Sequence, residues 1–418
     1  MPIRPTLTIL ASLLAGLLAV PTAAHAAADE KLLAAARAAQ PAVIESLKAM
    51  VAIESGTMDG PGLGKMTDYA EARLKALGLQ VERRPASTAS AGKSDVLVAR
   101  ATGTGRRKLM LIAHLDTIYW PGTLATQPIK QEGNKLYGPG IADDKGGVAV
   151  ILHALAILKA AGWTDYAQLT VLFNADEESG SGGSGEAIAT LADGHDFVLS
   201  YEPTAAPDPG VLLAAAGVGA VKMTVKGRSS HAGAAPDQGR NALVEAAFQV
   251  GQTTDIARGI PGAQLNWTTL SAGKVRNQIP DQAEAGADVR LTADGAGEQL
   301  LAALQAKAAA GKRVPDTVVD FKLEVGRPPF VGGERTLALA RRAQAIHAEL
   351  GGKPLSIHPI SGGGTDAGFA SRSGKAVVLE SLGLPGWGYH AKDEYIDLDA
   401  IVPRLYLSTR LLMDLGRD

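Results

Sequence analysis

The stretch Lys108-Leu109-Met110-Leu111-Ile112-Ala113-His114-Leu115-Asp116 is an apolar run, polar only at its first residue, that ends in an imidazole and a carboxylate. Such a run suits a strand buried on both faces, the usual state of strands in a parallel sheet. Two more runs have the same form. Gln168-Leu169-Thr170-Val171-Leu172-Phe173 leads to Asp176-Glu177-Glu178, and Asp196-Phe197-Val198-Leu199-Ser200 leads to Glu202. Between the first two lies Gly140-Ile141-Ala142-Asp143-Asp144-Lys145-Gly146, just ahead of an amphipathic helix. In an open α/β sheet, ligands bind in the crevice beyond the carboxyl ends of the strands. Hard oxygen ligands and imidazoles gathered there indicate a metal site with room for a substrate, which favours a hydrolase.

Composition narrows the choice further. The 418 residues suffice for two domains of ordinary size. A formal net charge of -2 gives no electrostatic reason to expect nucleic acid or an anionic membrane as partner. Few aromatics argue against base-stacking platforms. There is no cysteine, so thiolate metal sites, disulfides and a cysteine nucleophile are excluded. Any metal must be held by His, Asp and Glu.

At the N-terminus, Arg4, the apolar Leu7 to Val20 and the small-x-small Ala24-His25-Ala26 read as a secretory signal. The expectation is removal of residues 1–26, with a mature protein from Ala27 that is exported, periplasmic and free of the membrane. The alternative is an uncleaved anchor. His25 would leave with the signal.

Residues 29–78 follow a helical pattern broken at Pro41 and around Asp59-Gly60-Pro61-Gly62. Strands are expected at Leu79 to Arg83, Asp95 to Ala101 and Lys108 to Ala113, then a helix at Gly146 to Ala161. Near Gly217 the pattern becomes alternating. Ala220 to Lys226, Leu265 to Ala272, Ala283 to Leu291 and Val318 to Val325 read as strands, with helices at Asn241 to Thr253 and Gly297 to Ala310. That order is strand-helix-strand-strand-helix-strand, a ferredoxin-like α+β unit. The fold class is therefore α/β, a mostly parallel sheet with helices on both faces, interrupted by an inserted ferredoxin-like domain. The expected boundaries are 27–216 and 327–418 for the α/β domain and 217–326 for the insert.

Two divalent ions close together need about six protein ligands, one carboxylate shared between them, and an open position. His114, Asp143, Glu178, Glu202 and His390 can supply that set, with Asp143 well placed in a tight loop to bridge. Asp116 can accept the second N–H of His114 and fix its tautomer. Neighbouring residues of an extended segment point opposite ways. If Glu178 binds metal, Glu177 faces the substrate, where it can take a proton from the attacking water and return it to the leaving amine. Singly, a Glu-Glu pair is an ordinary solvated feature and Asp-Asp-Lys can simply cap a helix. Their co-occurrence, in order, at the mouths of apolar strands outweighs those readings.

These residues resemble a family. His114-Leu115-Asp116, Gly140 to Gly147, Asp176-Glu177-Glu178, Tyr201-Glu202-Pro203 and His390 are similar to the co-catalytic zinc aminoacylase/carboxypeptidase metallopeptidases. Ser230-His231-Ala232-Gly233-Ala234-Ala235-Pro236, Gly362-Gly363-Gly364-Thr365-Asp366 and Glu380 to Gly386 point within it to the bacterial folate-hydrolysing glutamate carboxypeptidases. The resemblance implies two zinc ions per subunit bridged by Asp143, one also held by His114 and Glu202, the other by Glu178 and His390. Cobalt or manganese could replace zinc at such a site. Glu177 would be the general base and Asp116 the orienting carboxylate, with a non-proline cis peptide after Asp143. The insert would be a dimerisation or lid domain in a homodimer, its His231 reaching the neighbouring subunit's site to stabilise the oxyanion.

Arg290 and Arg327 resemble the family's arginines for a substrate carboxylate, the group a bidentate arginine grips best. Asn277 resembles their polar partner in the lid. The glycines around Gly363 let backbone N–H groups come close to the substrate. His153, His195, His347 and His358 read as structural. The implied activity is release of a C-terminal amino acid, foremost glutamate from folate-like or N-acyl substrates. Ala205 to Ala220 offers no lysine for a second carboxylate, so a broader aminoacylase, deacylase or dipeptidase is the alternative. A non-catalytic exported peptide- or metal-binding protein is the third reading.

Overall fold

The computed structural model describes residues 27–85, 95–293 and 295–418, and the signal expected at 1–26 lies outside them. The main sheet has six strands, in the spatial order Gln80–Pro85, Asp95–Thr102, Gln168–Asn174, Lys108–His114, Phe197–Ser200, Val377–Leu379. The last four are mutually parallel, and the first two form an antiparallel edge. His114 stands in register with Asn174, so the strands that precede the two acidic segments open at one end of the sheet.

Alternation along the Lys108–His114 strand sorts its side chains. Leu109, Leu111 and Ala113 pack into the larger core with the helices Glu30–Val51, Lys145–Ala160 and Ile401–Arg417. Met110 and Ile112 face a second cluster with Ile188, Ala192 and Phe369. Helices thus cover both faces. Full burial of such side chains contributes roughly 1.5–3 kcal/mol each, which explains why the run tolerates no polar residue before its end.

The sheet of the insert is wholly antiparallel, in the order Ala263–Ala272, Gln282–Leu291, Gly217–Lys226, Val318–Arg327. Helices Ala242–Thr253 and Ala296–Ala310 cover one face, packing on Val221, Met223, Val289 and Phe321. This is the ferredoxin-like arrangement that the element order predicts. Among the described residues, no helix is long and apolar enough to cross a membrane.

Two local expectations differ. The first helix runs through Pro41 without a break. Pro41 and Arg37 lie on the exposed side, where water reaches the carbonyl that loses its N–H partner. A small five-stranded sheet joins Lys130–Glu132, Lys135–Tyr137, Tyr395–Asp397, Pro385–Trp387 and Thr204–Ala205. Strands of two or three residues leave no periodicity to read, yet this sheet ties the Glu202 loop to the approach to His390.

Candidate active site

His114 is buried at the end of its strand. Its Nδ1 lies 3.0 Å from the carbonyl oxygen of Asp116 and 3.3 Å from that residue's carboxylate. Its Nε2 faces Asp143 at 3.0 Å and Glu202 at 3.7 Å. With the proton on Nδ1 directed to Asp116, the Nε2 lone pair points among carboxylate oxygens, a repulsive arrangement unless a cation sits there. On the other side of Asp143, His390 Nε2 lies 3.2 Å from Asp143 Oδ2 and 3.1 Å from Glu178 Oε2. Ligand atoms of His114, Asp143 and Glu202 form one group within 4.8 Å, and those of Asp143, Glu178 and His390 form another. Asp143 alone belongs to both.

The electrostatics suit cations. Burial, helped by Asp143, lifts the Glu178 carboxyl to about 7. Burial likewise lifts Glu202, with Asp143 adding to it against the pull of His114. Asp143 is held below the ordinary carboxylate value, because its interactions with His114 and His390, when those imidazoles are protonated, outweigh its burial. Hard carboxylates and imidazoles gathered in excess of nearby organic cations are the donor chemistry of divalent metals.

Asp143 owes its position to groups the sequence reading passed over. The buried Glu394 carboxylate accepts N–H bonds from Gly140, Ala142 and Asp143 at 2.9, 2.8 and 3.1 Å and a hydroxyl bond from Tyr119 at 2.7 Å. Asp144 accepts from the Gly147 N–H at 3.0 Å, capping the helix Lys145–Ala160. Of the adjacent pair, one carboxylate serves the helix and the other the site. The peptide bond between them is cis.

Glu177 and Glu178 lie in the 3-10 turn Glu177–Ser179, rather than in an extended segment. The Asp116 carboxylate accepts both of their backbone N–H groups, each at 3.1 Å, and the Thr57 hydroxyl at 2.7 Å. Those bonds pull the chain into a turn. The two side chains still part ways, Glu178 toward His390 and Glu177 toward Arg327, whose Nη1 is 2.6 Å from Glu177 Oε1. Burial pushes the Glu177 carboxyl well above the usual range, against the pull of Arg327.

These groups open onto a cavity of about 670 Å³ whose lining includes Asp143, Glu177, Glu178, Glu202, His390 and Tyr389. Arg290, Arg327 and Gly363 line it as well, as do Glu380 and Ser381 of the Glu380 to Gly386 stretch, and Leu212 and Val218, which the sequence did not single out. Arg290 holds Asp288 through two bonds, at 3.0 and 3.2 Å. His231 and Asn277 stand apart from this cavity. They sit together in the insert, where the Asn277 carbonyl accepts the Ala232 N–H at 2.8 Å and the exposed His231 accepts the Gly233 and Ala234 N–H groups. His195 is tied to Leu191 and Thr170, and His153 to Ser46, as structural residues are.

The chain belongs to peptidase family M20/M25/M40, whose model matches residues 110–414. It is 44% identical over 416 residues to carboxypeptidase G2 of Pseudomonas sp. strain RS-16, covering 99% of each chain. It is 28% identical to the succinyl-diaminopimelate desuccinylase of Novosphingobium aromaticivorans over 83% of this chain and 92% of that protein. In fold it matches the aminopeptidase PepT of Bacillus cereus with a TM-score of 0.72 at 20% identity, over 90% and 98% of the two chains. The Bacillus subtilis YXEP protein, a dinuclear metal-binding peptidase, matches with a TM-score of 0.65 at 17% identity over 90% and 98%. The protein is therefore an enzyme, a metallopeptidase of the carboxypeptidase type, and the non-catalytic reading is set aside.

Proposed function

We propose that this enzyme uses two zinc ions per subunit to hydrolyse the amide bond before a C-terminal amino acid bearing a free carboxylate. One observation carries the reading: Asp143 belongs to two ligand groups at once, on a cavity that also holds Glu177 and two arginines. His114 and Glu202 would hold one ion, Glu178 and His390 the other, and Asp143 both. Bound there, the ions would polarise the scissile carbonyl and acidify a water. Glu177 takes the proton of the attacking water and passes it to the departing nitrogen. Its burial supports that role, since a carboxyl raised above its ordinary value holds an accepted proton long enough to return it. Asp116 fixes the His114 tautomer and, through the two amides, the place of Glu177.

Arg290 and Arg327 are proposed to bind the substrate carboxylate, with Gly363 leaving room for its approach. His231 and Asn277, outside their own cavity, are proposed to complete the site of a partner subunit in a homodimer. Secretion to the periplasm belongs to the same proposal, resting on the pattern of residues 1–26.

The leading substrate is an N-acyl or folate-like compound ending in glutamate, by likeness to carboxypeptidase G2. A broader deacylase or dipeptidase activity is favoured by one feature of the cavity. Its arginines are already paired with Asp288 and Glu177, while Leu212 and Val218 add apolar wall. Release of glutamate, alanine and leucine from one fixed acyl group separates the two: a glutamate preference beyond tenfold supports the first, equal or faster release of leucine the second. Chelation should abolish activity and zinc restore it, and full activity in metal-free protein would sink the two-metal mechanism.

A further inference from the structure

Arg327 is the last residue of the insert's strand Val318–Arg327, whereas Glu177 follows the Gln168–Asn174 strand of the main sheet. A register shift brings the two together. Val218 pairs with Arg327 but Gly219 with Val325, so Gly326 is the extra residue of a bulge, and a bulge re-aims the side chain beside it. The guanidinium then lies against Gly364, where a Cβ would come within 3.1 Å of Arg327 Nη1 and 2.8 Å of Val218. A glycine is needed there to seat the arginine.

The two ends of the guanidinium have separate partners. Nη2 donates to the backbone carbonyl of Glu177, and Nη1 to its carboxylate at 2.6 Å. The first bond fixes Arg327 to the turn whatever the Glu177 side chain does. The second occupies the carboxylate that has to take a proton, and a carboxylate held by a guanidinium is a poorer acceptor than a free one. Both residues line the catalytic cavity, each with 7% of its side-chain surface accessible. Of the other acids on that cavity, Asp143, Glu178 and Glu202 belong to the two ligand groups, and burial raises Glu380 well above the ordinary carboxylate range. Asp366, outside the lining, is taken by Ser181 and Asn174. Glu177 is thus the acid, among the described cavity residues, that competes with an entering carboxylate for Arg327. Removing one partner of a buried ion pair is costly, but exchanging one carboxylate for another leaves the guanidinium paired throughout.

We infer that the substrate's own free carboxylate displaces the Glu177 carboxylate from Arg327 Nη1 and so releases the base. The inference rests on the proposed role of Glu177 and makes recognition and proton transfer one event, a form of induced fit. A substrate without that carboxylate leaves Glu177 clamped.

The test compares an N-benzoyl amino acid with its carboxamide on the zinc-loaded enzyme, the released residue being the one cleaved fastest. In the parent, kcat for the carboxamide should lie about a hundredfold below that for the acid. Arg327→Gln, which removes the clamp, should raise kcat for the carboxamide by about tenfold or more over the parent, a gain that a purely substrate-binding or structural arginine would not give. Arg327 also holds the Glu177 carbonyl, so the parent supplies a second readout. In crystals soaked with glutarate, Arg327 Nη1 should bond a glutarate oxygen and no longer Glu177. Equal kcat for acid and carboxamide in the parent, no gain in a folded Arg327→Gln, or glutarate in the cavity with the Glu177–Arg327 pair intact would overturn the inference while leaving the hydrolysis itself standing. Failure of the zinc-loaded parent to cleave either compound would overturn both.

Discussion

At the residue scale the catalytic proposal turns on Glu177. Its carboxylate has no ligand role in either three-residue group, it lines the cavity, and Arg327 clamps it. Replacing it by Gln keeps the volume and the contact with Arg327 but removes the proton acceptor. Glu177→Gln should therefore keep its zinc, measured by metal analysis of the purified variant, and its thermal midpoint within a few degrees. Its kcat should fall by about 10²–10⁴. A variant that turns over at the parent rate would remove Glu177 as the base. Of the proposed ligands and base, His114, Glu177, Glu178 and Glu202 were legible because each ends or follows an apolar strand, which fixes where the side chain must emerge, whereas Asp143 stands in a loop ahead of a helix and His390 in a late loop. Glu394 was not legible. It lies four residues after His390 in a polar loop with the look of surface, and only the fold turns it inward.

At the element scale, two contacts shape stability. The Glu394 carboxylate closes the loop Gly140–Asp143 by taking three of its backbone N–H groups. Glu394→Ala would leave those donors buried, at roughly 1–3 kcal/mol each where water cannot reach them. The expected result is a loss on the order of 3 kcal/mol in urea unfolding and a metal content that drops on dialysis, while the parent keeps its ions. The second contact joins helices Glu30–Val51 and Lys145–Ala160 through Ser46 Oγ and His153 Nε2, 2.9 Å apart. Burial, aided by the Arg73 charge, holds His153 down at about 4. Below its ordinary value of 6.5 the unfolded chain binds a proton that the folded one refuses, so stability must fall as pH drops from about 6.5 toward 4. His153→Asn should flatten the urea midpoint against pH in that window by up to about 1 kcal/mol per pH unit, and an unchanged slope would exclude His153 as a source. Neither contact was legible beforehand. Helices and long strands declare themselves by period, whereas the Glu177–Ser179 turn and the short strands beside His390 are set by partners distant in sequence.

At the scale of the whole molecule, element order alone gave the ferredoxin-like insert within an α/β frame, because four alternating strands and two amphipathic helices permit few arrangements. What element order leaves open is whether the insert completes a neighbour's site. His231 lies in the insert, exposed and outside the cavity that holds its own chain's Glu177. If it serves the partner subunit, a site needs Glu177 from one chain and His231 from the other. Glu177→Gln and His231→Ala homodimers should then both be nearly inactive. Mixed dimers of the two would carry one site with both defects and one with neither. Random exchange makes half of the dimers mixed, each with one of its two sites intact, so activity should recover to about a quarter of the parent's. If His231 acts within its own chain, every site in the mixture carries a defect and nothing recovers. Co-expression with two affinity tags, followed by assay of the doubly tagged fraction, measures the difference directly: about half of parent activity in that fraction for a shared site, and none for a site built from one chain.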